Sequence, residues 1–308
     1  MPQPQERRLH SLEKIVALCA LFAVLALTVG FAQAAGHHRR KAAYANDYED
    51  PRYSGAGRVA LGSAVALVQD ADTGEVVLAK NSDTPVPIAS ITKLMTAMVV
   101  LDARLDLEKE VTITHADRDF RKGTRSRLRD GAVLTRDDLL LLALMSSENR
   151  AAAALARTYP GGTEAFVAAM NAKARALGMN DSRFADPTGL TSANVSSARD
   201  LARLVRAAHD YPLIREYSTR DRAFIRARGQ TLAFHNTNAL VRNSSSGWEI
   251  GLSKTGYISE AGRCLVMRVR VASRDLILVL LDSWGKYTRV ADAKRIRRWL
   301  ETSVVTSG

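Results

Sequence analysis

Apolar and polar positions divide the chain into stretches of different period. Ile15 to Phe31 is almost unbroken apolar sequence, preceded by Arg7, Arg8 and Lys14 and followed by Ala32-Gln33-Ala34-Ala35. A charged start, an apolar run and a small-x-small site predict a secretory signal over 1–34, cut after Ala34. An uncleaved anchor is the rival, because the run approaches the length of a membrane span. Residues 35–57 are polar without period and read as a flexible linker. Alternation then predicts a strand over Ser63 to Val68, a turn at Asp70 to Gly74 and a second strand over Glu75 to Ala79. From Ser90 to about Asp102 the pattern becomes an apolar helix.

The middle of the chain is mostly helical. Val111 to Ile113 suggests a short strand, and Arg118 to Asp130 reads as a basic loop. Thr135 followed by Asp137 and Asp138 marks an N-cap for a helix reaching Met145. That helix breaks at Ser146-Ser147-Glu148-Asn149, and others follow through Ala151 to Leu155, from Gly161 to Gly178, and from Ser197. Trp248 to Tyr257, Arg263 to Ser273 and Leu276 to Asp282 read as strands, and a last helix runs from about Tyr287 to Leu300. The order predicts an α/β (α+β) fold: an antiparallel sheet built from both chain ends, flanked by helices, with a mainly helical lobe inserted. One domain would span 58–302, leaving 303–308 as a tail.

Composition narrows this picture. The 308 residues are 46% hydrophobic and 25% charged, as in ordinary globular proteins. A net charge of +12 favours polyanionic partners. No zinc-finger spacing, aromatic-rich RNA motif or compact basic stripe accompanies it, so nucleic acid is not expected. Cys19 lies inside the signal, and Cys264, in an alternating apolar run, reads as a small core residue in a mature chain without an internal disulfide. His115, His209 and His235 are isolated, so no metal site is expected. His235 and the Asp186-Pro187-Thr188-Gly189 stretch read as structural, the latter as a turn.

Three short constellations carry candidate chemistry. In Ser90-x-x-Lys93 the two side chains fall on one face of a helix. A serine hydroxyl needs an adjacent base. An amine can be that base near pH 7 only if its pKa falls by about three units from about 10.4, a cost of about 4 kcal/mol. Burial, a nearby cation and the helix start all push that way. Ser147-Glu148-Asn149 sits in a helix break, where Ser147 could relay a proton and Asn149 could orient a substrate amide or hold Lys93. Lys254-Thr255-Gly256 falls in a strand. There Lys254 would depress the Lys93 pKa and attract a carboxylate, while Thr255, Gly256 and Tyr257 would pair with an extended peptide. The backbone N–H groups of Ser90 and Tyr257 would form an oxyanion hole.

These motifs, with "IASITKLMTAMVVLDA", "LLLLALMSSENRAAA", "DPTGL", "NTNALV", "SKTGY" and "GKYTRVADA", resemble the low-molecular-mass penicillin-binding proteins, serine-type D-alanyl-D-alanine peptidases, across Arg58 to Glu301. The resemblance implies the β-lactamase/DD-peptidase fold, an acyl-enzyme on Ser90, Lys93 as general base, Ser147 as proton relay and Lys254 as a substrate-binding cation. It implies no cofactor. Its substrates would be peptidoglycan stem peptides and crosslinks in the periplasm, and β-lactams would be covalent inhibitors. Membrane contact would come only through an uncleaved signal. The E-x-x-L-N loop of class A β-lactamases is missing, which predicts slow deacylation of penicillin. The chain stops one helix after the motifs, so the endopeptidases of the family are expected over the carboxypeptidases. A carboxypeptidase, a weak β-lactamase and a non-catalytic wall-binding protein remain the alternatives.

Overall fold

The computed structural model describes residues 48–49, 58–243 and 247–305. The signal expected over 1–34 lies outside them, as does most of the linker expected over 35–57. The strands are β1 Tyr48–Glu49, β2 Ser63–Asp70, β3 Val76–Lys80, β4 Val86–Pro87, β5 Glu110–Thr112, β6 Val133–Thr135, β7 Val195–Ser196, β8 Arg222–Ala227, β9 Gln230–His235, β10 Glu249–Ile258, β11 Gly262–Val271 and β12 Arg274–Ser283. The α-helices are α1 Thr92–Asp102, α2 Arg136–Met145, α3 Asn149–Arg157, α4 Gly162–Ala176, α5 Ala198–His209, α6 Pro212–Thr219, α7 Ala239–Arg242 and α8 Thr288–Val305. Two residues of the expected linker form β1, and α8 runs on into the expected tail.

Six strands make one antiparallel sheet in the order β1-β3-β2-β12-β11-β10, so both chain ends meet at its centre as expected. Leu278 of β12 pairs with Val68 on one side and Met267 on the other. The strands of this centre read as continuous apolar runs because both faces of the sheet are covered. Val65, Leu67, Val266, Ile277, Val279 and Leu281 face the helical lobe. Their alternates Ala66, Val68, Leu265, Met267, Leu278 and Leu280 pack against Ala293, Ile296, Trp299 and Leu300 of α8. A one-residue slip would exchange the two sets, so burial fixes the register.

In the lobe, α1 is buried from Thr92 to Val100 and touches α2, α3, α4 and α5. A helix apolar on every side belongs at the middle of a packed body, and this one occupies it. Its neighbours start where the sequence signals them. Thr135 Oγ1 accepts from Asp138 N at 3.0 Å, and Ser197 Oγ accepts from Asp200 N at 3.2 Å. The hairpin β8–β9 and the helix α6 were not anticipated. The period was legible in β8, where Ala223, Ile225 and Ala227 are buried and Phe224 points outward.

The back of the sheet is fastened by one carboxylate. Asp292 of α8 is fully buried, and its Oδ2 accepts from Ser63 N at 2.7 Å and Ser63 Oγ at 2.6 Å. Its Oδ1 accepts from Gly62 N at 3.1 Å and pairs with Arg295. Ser63 Oγ also lies 2.7 Å from Ser283 Oγ, which joins β2, β12 and α8. Replacing Asp292 by Ala leaves these donors unmet, and urea denaturation should show a loss of about 2–3 kcal/mol.

Candidate active site

The segment carrying Ser90 is compressed from two directions. Ala89 holds φ +48, uncommon for a residue with a side chain. Gly189 (φ +81) lies against it, close enough that a Cβ there would stand 2.0 Å from Ala89 O and 2.8 Å from Ser90 N. From the sheet edge, a Cβ on Gly256 would stand 2.9 Å from Ile88 O and 3.0 Å from Ser90 N. Only glycine permits these approaches, and Gly189 additionally needs the left-handed conformation. Ser90 therefore does not open the α-helix directly. It occupies a 3₁₀ turn, Ala89–Ile91, and α1 starts at Thr92.

Across that junction Lys93 Nζ lies 3.0 Å from Ser90 Oγ. Lys93 is completely buried, and its amine also donates to Asn149 Oδ1 at 2.7 Å and to the Thr188 carbonyl at 2.6 Å. The Thr188 carbonyl belongs to the stretch read from sequence as a plain turn. That reading was too modest. Asp186 Oδ1 accepts from Thr188 N at 2.8 Å and Gly189 N at 2.6 Å, while Asn194 Oδ1 accepts from Ala185 N at 2.7 Å. Asn194 Nδ2 reaches Thr92 Oγ1 at 2.9 Å, tying the turn to the start of α1. A turn wired this way aims one carbonyl at the lysine.

Burial pulls the Lys93 pKa from 10.5 down to about 8, while the carboxylates of Asp186, Glu148 and Asp119 push it back up. The expected help from Lys254 takes another form. Lys254 is itself buried, and its pKa is driven well below 10.5 by burial, then by Lys93 and Arg289. Two buried amines repel, and burial lowers both.

The remaining candidates take up separate positions. Ser147 sits between α2 and α3 at φ +60, half-buried, and its hydroxyl has no hydrogen-bond partner among the described residues. Lys254 Nζ donates to the Thr255 carbonyl at 3.2 Å. Thr255 Oγ1 shares a 2.6 Å hydrogen bond with Thr237 Oγ1, and Thr237 N donates to Met145 O at 3.1 Å, linking β10 to the end of α2. Tyr257 is exposed, with the Arg263 guanidinium 4.5 Å from its ring centre. Arg289 of α8, not singled out from sequence, donates to the Gly256 carbonyl at 2.8 Å and the Cys264 carbonyl at 3.0 Å. Cys264 is buried in the core beneath it, as anticipated. His115, His209 and His235 lie on separate elements: beside Asp130, against Arg268 and exposed on β9.

A cavity of about 480 Å³ opens beside Asn149 and Thr188, with Asp119, Phe120 and Arg121 among its walls. A hollow of about 530 Å³ walled by Arg199, Arg203 and Arg206 holds none of these groups.

The family described as D-alanyl-D-alanine carboxypeptidase matches residues 53–285. The chain belongs to this family. A D-alanyl-D-alanine endopeptidase of Pseudomonas aeruginosa is 54% identical over 249 residues, covering 80% of each chain. One of Escherichia coli K12 is 50% identical over 252 residues, covering 81% of each. Among solved structures, the Streptomyces K15 DD-transpeptidase aligns with TM-score 0.72 at 28% identity, covering 78% of this chain and 97% of its own. A D-alanyl-D-alanine carboxypeptidase of Mycobacterium tuberculosis aligns with TM-score 0.69 at 27% identity, covering 77% and 90%. The fold is that of the DD-peptidases, as the motif order implied.

Glu148→Gln removes a negative charge that favours the ammonium form while keeping an oxygen to accept from Arg150 N, now 3.1 Å away. Titration of ¹⁵N-labelled Lys93 by NMR should place its pKa below the wild-type value of about 8.

Proposed function

We propose that this protein is a serine-type D-alanyl-D-alanine endopeptidase that hydrolyses D-alanyl–diaminopimelate crosslinks of peptidoglycan through an acyl-enzyme on Ser90. The observation that carries this reading is the set of three partners around Lys93 Nζ. A neutral amine has two N–H donors and one lone pair. Asn149 Oδ1 and the Thr188 carbonyl, at 2.7 and 2.6 Å, accept and cannot donate. They occupy both N–H groups, so the lone pair is left for the Ser90 hydroxyl at 3.0 Å. With a pKa near 8, a useful fraction of the amine is neutral at working pH.

In the reaction, Ser90 Oγ attacks the D-alanyl carbonyl as its proton moves to Lys93. The oxyanion forms between the backbone N–H groups of Ser90 and Tyr257, a placement supported by the close approach of Gly256 to Ser90 N. Collapse expels the diaminopimelate amine, which receives the proton from Lys93 through the Ser147 hydroxyl. Water then attacks the acyl-enzyme with Lys93 again as base. Lys254 meets the carboxylate beside the leaving amine. Burial disfavours its charged form and a carboxylate beside it favours that form, so binding and protonation are coupled. Thr255 and Asn149 line the bound strand, and Thr255, Gly256 and Tyr257 offer it main-chain pairing along β10.

β-Lactams would acylate Ser90 by the same attack and persist, since no glutamate of the E-x-x-L-N type serves deacylation. The charged and apolar pattern of residues 1–34 supports export to the periplasm, with 58–302 as the peptidase domain. Among the described residues no helix is long and apolar enough to cross a membrane.

The carboxypeptidase reading is favoured by the description of the family, the endopeptidase reading by the two relatives at 54% and 50% identity. Purified crosslinked muropeptide dimers separate them. Mass spectrometry should show monomers produced by the wild type and none by Ser90→Ala, whereas release of D-alanine alone from pentapeptides would establish the carboxypeptidase. A fluorescent penicillin should label the wild type lastingly and leave Ser90→Ala unlabelled.

A further inference from the structure

Asn149 can serve Lys93 only in one of its two amide orientations. With Oδ1 toward the amine it takes up an N–H. Rotated half a turn, it would present its own N–H to the lone pair and capture the base that Ser90 needs. The basic loop after residue 117 decides between these orientations.

Within that loop Asp119 Oδ1 accepts from Arg121 N at 2.8 Å and Lys122 N at 2.9 Å. Its Oδ2 accepts from Thr124 N at 3.0 Å and Thr124 Oγ1 at 2.7 Å. Burial pushes the Asp119 carboxyl up, but these hydrogen bonds together hold it below its ordinary value. An ionised carboxylate accepts only, so the single proton of the Thr124 hydroxyl is directed to Asp119. The Thr124 oxygen then has lone pairs alone to offer Asn149, whose Nδ2 lies 2.9 Å away. The opposite edge of the amide is thereby Oδ1, which faces Lys93 at 2.7 Å. The loop is also held from the opposite wall, where Lys122 pairs with Glu260 in the turn between β10 and β11.

We propose that Thr124 and Asp119 are positioning residues that fix the polarity of Asn149 and so keep the Lys93 lone pair directed at Ser90. This rests on the reading of Lys93 as the base. Neither residue touches the reacting atoms; the hydrogen-bond direction set at Asp119 passes through Thr124 and Asn149 to the amine.

The test is the second-order rate of acylation by a fluorescent penicillin, measured against pH. Thr124 is exposed, so Thr124→Val keeps its shape and branching and loses only the hydroxyl. The plateau rate should fall about tenfold, on the scale of one lost hydrogen bond to a polar group. The acid limb should move to lower pH, because a rotated amide no longer accepts from the ammonium. Thr124→Ser keeps the hydroxyl and should stay within about twofold of wild type. An unchanged rate in Thr124→Val would overturn the proposal, as would a slow Thr124→Ser or a fallen plateau with the acid limb unmoved. Lys93→Ala with the same probe stands apart: if it acylates normally, the reading of the base fails, whatever Thr124 does.

Discussion

Burying Lys93 is the constraint around which the rest of the molecule is arranged. Its amine sits where α1 is covered on every side, so an ammonium there gives up hydration and its pKa falls from 10.5 to about 8. Left alone, so deep a group would be expected to fall further. The carboxylates of Asp186, Glu148 and Asp119 hold it within reach of neutral pH, and all three lie outside α1. Asp186 and Glu148 have a second duty, one as the bracket of the Thr188 turn and the other as the N-cap of α3. The same side chains that shape the walls therefore tune the amine.

The second requirement is a serine presented at a fixed angle to that amine. Ala89 at φ +48 is a strained residue held in place by neighbours that leave it no room. Gly189 arrives from the lobe and Gly256 from the sheet edge, and each stands where a Cβ would collide with the backbone leading to Ser90. Ser90 is thus clamped between Gly189 and Gly256. This gives the sheet topology its purpose: β10 must be the edge strand, because its free side is where Gly256 meets Ser90 and where an extended peptide could pair. Arg289, reaching from α8 to the Gly256 and Cys264 carbonyls, stiffens that edge from behind.

A buried amine beside another buried amine is costly until a carboxylate is added. Burial, then Lys93, lowers the Lys254 pKa well below 10.5. A ligand that brings its own negative charge relieves that penalty, whereas a neutral ligand does not. Under the proposed function, preference for a carboxylate beside the scissile bond would draw on desolvation as well as on attraction.

The sequence by itself determined the parts whose signals are local. Ser-x-x-Lys brings a hydroxyl and an amine together because four consecutive residues in helical or 3₁₀ conformation allow little else, and Thr135 and Ser197 mark helix starts through their own capping bonds. The unbroken apolar run of β12 marks a strand covered on both faces, while which alternate meets the lobe and which meets α8 is decided by packing. What the tertiary structure decided is every contact made across long separations. The Thr188 carbonyl looked like an ordinary turn because nothing in Asp186-Pro187-Thr188-Gly189 says where its oxygen points; Asn194, Thr92 and Lys93 settle that. Thr124, in a stretch legible only as basic loop, gains meaning from Asn149, and Arg289 from a strand on the far side of the sheet. The depth at which Lys93 and Lys254 are buried belongs here too. A pKa depends on burial and on which charges surround a group, and neither is written in the order of residues along a chain.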